Sequence, residues 1–213
     1  MGRHPSAIVQ SDRIAGDAEI GPFCVIGPCV SVGAGARLHS HVVASGEVEI
    51  GPGTEVFEGA VLGKAMARHP TIRRPVGAPG ALRIGSACSV GSHAVLYQNV
   101  VVGDGSLVGD HASVLEGAVI GQAAVIGRSV TMHPDTRIGD RSRVLDHSHI
   151  ATAAVVGCDC VVSLLLAEVA GARPLASRRV VVEGTRLPGA QRAARAAFEL
   201  ADRAAHWRRS RRS

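Results

Sequence analysis

The chain has 213 residues, enough for one domain with a continuous core. Aromatic residues make up 2%, glycine contributes 26 residues and apolar residues reach 46%, which excludes both a disordered polymer and a core built on Phe, Tyr and Trp. The net charge of +5 is concentrated in Arg178 to Ser213, where ten Arg face three acids; the rest of the chain is near neutral, and no nucleic-acid partner is expected.

Met1-Gly2-Arg3-His4-Pro5 leads directly into patterned sequence, so no secretory leader is expected, and no apolar run nears the roughly 18 residues of a membrane span. From Ile14 the chain keeps a period of six. Ile14, Ile20, Ile26, Val32, Leu38, Ala44, Ile50, Val56 and Leu62 share one position. Ala18, Cys24, Val30, Ala36, Val42, Val48, Thr54 and Ala60 fill a second, small position four residues later. A period of six is neither that of a helix nor that of a plain strand. A short strand followed by a corner satisfies it: the small residue and the next aliphatic are two apart, so both point inward. Three hexads then close an 18-residue coil, and coils stack at about 4.8 Å.

Between Leu62 and Ile84 the register slips, and the stretch is rich in Pro, Gly and Arg. Residues 64–83 are therefore expected as a loop extruded from the solenoid. From Ile84 the hexads resume without a break to Gly157, with glycine in the second position at 85, 91, 103, 109, 121, 127, 139 and 157. The pattern ends near Val162. The sequence thus divides into a solenoid over 6–165 and a carboxy-terminal segment over 166–213. The latter carries an expected α-helix near 188–209, which opens on Pro188 and is rich in Ala and Arg, and a basic tail. A helix there would cap the open end of the solenoid.

The pattern aliphatic–Gly–x–x–small–x resembles the hexapeptide-repeat acyltransferases. Ile20-Gly-Pro-Phe-Cys-Val-Ile-Gly-Pro and Leu38-His-Ser-His-Val-Val are similar to the start of the UDP-N-acetylglucosamine acyltransferases. Val95-Leu-Tyr-Gln-Asn-Val and Val144-Leu-Asp-His-Ser-His-Ile are similar to bacterial sugar N-acyltransferases. The resemblance implies an all-β solenoid wound as a left-handed parallel β-helix, assembled as a homotrimer with its sites between subunits. It implies acyl transfer to a small-molecule acceptor, the amine (with the hydroxyl second) of a nucleotide-linked sugar. No bound cofactor is implied; acyl-CoA or an acyl carrier protein serves as co-substrate and, for the carrier, as partner. The carboxy-terminal hexads that help hold the donor in such enzymes are missing here, which leaves a non-catalytic scaffold as an alternative.

Ten His are present, and acyl transfer from a thioester needs a base of their kind and a donor for the oxyanion. Counting coils from Ile84, His93, His111 and His147 share one outward position, with Ser129 in the remaining coil. His149 points outward two residues beyond His147, His133 takes the next corner one coil earlier, and Glu116 lies near that corner one coil before. These three could line one edge over about 10 Å. The resemblance singles out His149, taken as catalytic base, Glu116, and Tyr97-Gln98-Asn99, of which Tyr97 and Asn99 are assigned to substrate. His133 is added as a further catalytic group and His147 as a substrate contact from their places in the coil, although such enzymes often carry Asn and a small residue at those two positions. Arg73 and Arg74 of the loop, with Lys64, Arg68 and Arg83, would meet anionic groups from a neighbouring subunit. His39 and His41 are expected side by side on one strand, as surface or interface groups.

A metalloenzyme like the γ-type carbonic anhydrases, which share this fold, is a second alternative: their two His five apart on one coil do not occur here and no metal site is assigned, but the column His93, His111 and His147 could recruit a metal. Cys24, Cys88 and Cys160 fall in the inward small slot, and Cys29 and Cys158 outside it. Five cysteines without framework spacing point to a reduced, cytoplasmic compartment.

Overall fold

The computed structural model describes residues 2–66 and 79–162. They form a parallel β-solenoid of three sheets, with no helix among the described residues. Face I is eight strands, from Glu19–Ile20 to Val161–Val162. Face II is eight strands, from Ile8–Val9 to His149–Ile150. Face III is seven strands, from Val30–Val32 to Val155–Val156. The chain visits I, II and III in turn. Each strand pairs in parallel with the strand one coil on, as in Val101 with Val119 and Val102 with Ile120, a step of 18 residues.

Both inward positions behave as their residue types require. Ile20, Leu38, Leu62, Leu96, Ile126 and Met132 are fully buried in the aliphatic slot, and Cys24, Ala60, Ala94, Ala124 and Val130 in the small slot. The prism is too narrow for aromatic rings, which accounts for their scarcity. Where the small slot is a hydroxyl, the polar group is satisfied in place. Ser106 Oγ donates to the Gly121 carbonyl at 2.7 Å and accepts the Ala124 N–H at 3.0 Å. Thr54 and Ser142 repeat that arrangement with Gly85 and Gly157 as acceptors.

The fourth hexad position turns the corner in the left-handed region of φ, even where it is not glycine: +57° at His93, +56° at His111 and +59° at His147. Each such residue is steadied by its backbone N–H, which donates to the preceding coil, His111 to the Ser92 carbonyl at 2.9 Å and His147 to that of Arg128 at 2.8 Å. Aspartate in the third position serves the layer beneath: Asp110 and Asp146 accept the N–H of Ser92 and Arg128 at 2.9 and 2.8 Å.

Glycine in the second position exists because coils approach closely there. A Cβ on Gly109 would lie 2.7 Å from the carbonyl carbon of Gly127, and one on Gly139 2.6 Å from the backbone nitrogen of Cys158. The extruded loop leaves face II after Val61–Lys64 and returns at Leu82–Ile84 on face III. Glu49 pairs with Arg83, a step of 34 rather than 18, so sixteen extra residues leave the columns in register. Lys64, Leu82 and Arg83 belong to the strands, because Leu82 fills an inward slot. Arg68, Arg73, Arg74 and the carboxy-terminal segment with its expected helix lie outside the described residues.

Candidate functional site at the corner between faces II and III

From Ile84 on, glycine holds the second position at the other two corners except at Leu145, whereas 97, 115, 133 and 151 are Tyr, Leu, His and Ala. Those four are one coil apart and fall on a single corner, between faces II and III. Side chains rather than glycine line that edge from Tyr97 on. The sequence already carried this signal, as gaps in the glycine series recurring every 18 residues.

Tyr97, Asn99, Glu116 and His133 all stand on this corner. Tyr97 ends the strand Val95–Tyr97, where a register shift against Val61–Lys64 bends the edge. The Lys64 ammonium lies over the Tyr97 ring, 5.2 Å from its centroid, which fixes a cation at the foot of the extruded loop. Asn99 donates its backbone N–H to the Gly80 carbonyl at 3.2 Å, at the loop's return. Glu116, one coil on, is half-buried, with one carboxylate oxygen out of contact with solvent. His133 follows in the next coil, half-buried, its backbone N–H on the Ile150 carbonyl at 2.9 Å.

His149 is exposed on face II, one hexad position before this corner, and is the register partner of Thr131. The outward column of face II runs Ile8, Val25, Val43, Val61, Val95, then Ser113, Thr131 and His149. It changes from aliphatic to polar in the coils where Glu116 and His133 stand on the adjoining corner. Sequence reasoning missed Ser113 and Thr131, although their spacing of 18 from His149 places them in one column.

His147 stands apart from Tyr97 and Asn99, on the opposite edge of face II, the corner between faces I and II. That corner carries a ladder of rings. Phe23 stacks on His41 at 5.1 Å, and His93 on His111 at 5.3 Å with planes 11° apart. His39 and His41 also lie in this corner rather than on one strand, because the strand ends at Leu38. His39 stacks on Phe57 at 4.9 Å and donates to Glu55 at 2.8 Å. The Glu58 carboxyl is held below its usual range by its own backbone N–H, then by the Ser92 hydroxyl and nearby His39 and His93. Stacked face to face, His93 and His111 keep their in-plane nitrogen lone pairs from converging on one ion. Among the described residues no three His, Cys, Asp or Glu are grouped to hold a metal.

Burial pushes the thiols of Cys24, Cys88 and Cys160 up, so they are poor nucleophiles; Cys29 and Cys158 are exposed. A depression of about 590 Å3 at the amino-terminal end is lined by Arg3, His4, Arg37, His39 and Glu58, at the far end of the solenoid from His149.

No family model matches the chain. Curated relatives include an acyl-[acyl-carrier-protein]–UDP-N-acetylglucosamine O-acyltransferase from Psychrobacter, 45% identical over 62 residues, 29% of this chain and 24% of the relative. Another of that name, from Saccharophagus degradans, is 30% identical over 135 residues, 54% of this chain and 51% of the relative. The chain thus spans between about a quarter and about half of these relatives. Among solved structures, LpxA from Acinetobacter baumannii superposes with a TM-score of 0.59 at 26% identity, covering 76% of this chain and 71% of that one. The UDP-N-acetylglucosamine O-acyltransferase of Moraxella catarrhalis gives 0.52 at 28% identity, covering 71% and 67%. The solenoid is therefore a left-handed β-helix, the fold of these acyltransferases. These likenesses do not favour the carbonic anhydrase alternative.

Proposed function

We propose that this hexapeptide-repeat protein transfers an acyl group from a thioester donor to a nucleotide-linked sugar. An acyl carrier protein takes precedence over acyl-CoA as donor, and a hydroxyl over an amine as acceptor. That order of acceptors reverses the one read from the sequence, because the curated relatives are named O-acyltransferases with acyl carrier protein as donor. The single observation that carries the reading is the gathering of His149, His133 and Glu116 into consecutive coils beside the corner between faces II and III.

The chemistry assigns each a task. The His149 imidazole takes the proton from the acceptor hydroxyl, and the oxygen attacks the thioester carbonyl carbon. The His133 N–H donates to the tetrahedral oxyanion. Collapse expels the thiolate, which recovers the proton from His149. Glu116, partly buried, orients the neighbouring imidazole and stabilises its charged form. Tyr97 and Asn99 hold substrate at the same corner. Arg73 and Arg74 would bring positive charge to the donor or nucleotide phosphates, and His147 would contact the acceptor from the opposite edge of face II.

The site is an edge rather than a cavity, so a second subunit has to supply the other wall. The aliphatic column Ile8, Val25, Val43, Val61 and Val95 supports a homotrimer packed through face II, with His149 at its margin. Exposed free thiols at Cys29 and Cys158 are compatible with a cytoplasmic setting.

The test is transfer from acyl carrier protein and acyl-CoA to UDP-N-acetylglucosamine and its 3-amino counterpart. His149→Ala should lower kcat by about 10²- to 10⁴-fold with little change in KM. Full activity in that variant removes the proposed base, and no transfer from any donor favours the scaffold.

A further inference from the structure

We infer that the corner between faces I and II holds a slot for a nucleobase, between His111 and His147 above Ser129. The inference rests on the nucleotide-linked acceptor proposed above and adds where its base is bound.

Along this corner successive coils set aromatic rings one step apart, with centroids 5.1 Å apart for Phe23 and His41 and 5.3 Å for His93 and His111. Both spacings lie within the range of stacked rings. The ladder is interrupted twice. At Gly59 the place is already filled: a Cβ there would fall 2.5 Å from Nδ1 of His93, which lies across it. At Ser129 the rung is only a hydroxymethyl group. His111 and His147 are two coil steps apart, about 10 Å. One flat ring inserted between them sits about 5 Å from each, the spacing the ladder itself adopts. Stacking on aromatic faces is the usual means of holding a nucleobase whose edges are not fully read.

The surroundings suit a nucleotide. On the face I side stands the exposed Arg128, paired with Asp146 at 2.8 Å. On the face II side stand Thr131 and then His149. A base stacked over Ser129 with its ribose directed across face II carries the attached sugar toward the proposed base. This gives His147 a role although it is remote from Tyr97 and Asn99.

Ser129 turns its corner at φ +53°, within a few degrees of His93, His111 and His147, so histidine fits the same backbone. Ser129→His therefore adds the missing rung and closes the slot. The test is titration with UMP by calorimetry and by saturation-transfer NMR, with melting temperature and subunit mass checked in each variant. Wild type should bind with saturation transfer to the uracil ring protons. Ser129→His should bind at least about tenfold more weakly with fold and mass unchanged, His147→Ala about five- to a hundredfold more weakly, and His147→Phe near wild type. Undiminished binding by Ser129→His, or no UMP binding by wild type at millimolar concentration, overturns the slot. The transfer assay separates the two proposals. Transfer that is indifferent to Ser129→His leaves the acyltransferase standing without the slot. UMP binding lost in Ser129→His, in a protein that transfers nothing, supports the slot alone.

Discussion

Asp146 and Asp159 sit on the outer corners, each bound to an arginine of the coil before. The Arg128 N–H and then its guanidinium hold the Asp146 carboxyl below its ordinary range, and the Arg141 guanidinium does the same for Asp159 at 2.7 Å. Unfolding returns both to about 3.9. Because the folded values are the lower ones, the stabilisation is fully present above the unfolded value and disappears as pH falls through the folded value. The melting temperature should therefore drop as pH is lowered below about 4. Arg141→Ala should flatten part of that drop, and 1 M salt should shrink it, since both pairs are exposed. A scan of melting temperature against pH at two salt concentrations checks the sign. Legibility at this scale was uneven. The outward direction of His149 followed from counting, whereas the third-position aspartates went unnoticed, because their purpose, accepting an N–H from the neighbouring coil, depends on a contact 18 residues away.

A hexad is a two-residue strand and a corner, and its stability depends on how closely the next corner can approach. Gly139 shows this most directly, since a methyl there would press on the backbone at Gly157 and Cys158. Gly139→Ala should cost about 1–3 kcal/mol through overpacking, read by chemical denaturation. The strands themselves were legible throughout, because one aliphatic and one small residue per hexad specify the inward face without any long-range information. The candidate corner was legible in the count. Glu116 and His133 could be placed by coil arithmetic. The separation of His147 from Tyr97 and Asn99 was countable too, since 147 falls in the second hexad of its coil and 97 and 99 in the third, but grouping residues by supposed role rather than by hexad obscured it.

Across the whole molecule, face II carries the longest aliphatic outward run. Face I points Glu19, Arg37, Glu55 and Ser89 outward before Leu107 and Val125 and returns to charge at Arg143, while face II presents five aliphatic residues in line before Ser113, Thr131 and His149. If face II is where copies meet, Val61→Arg should shift the protein to monomer in sedimentation velocity and take transfer activity with it. The free chain should keep its fold, because Val61 lies outside the core. The 18-residue coil and the location of the loop were readable from periodicity, whereas the left hand of the winding came only with the resemblance; the aliphatic run on face II was not singled out, since it rests on which outward residues are brought into line.

The sixteen residues added between Lys64 and Leu82 leave the inward columns above and below in register, with one irregularity where Tyr97 meets Lys64. Length at that point is thus decoupled from pitch, as slack paid out between two pulleys leaves both wheels turning together. Descendants of this chain are free to lengthen, shorten or recompose the span, and so to vary what is admitted at the Tyr97 edge, while the inward columns of the prism stay in line.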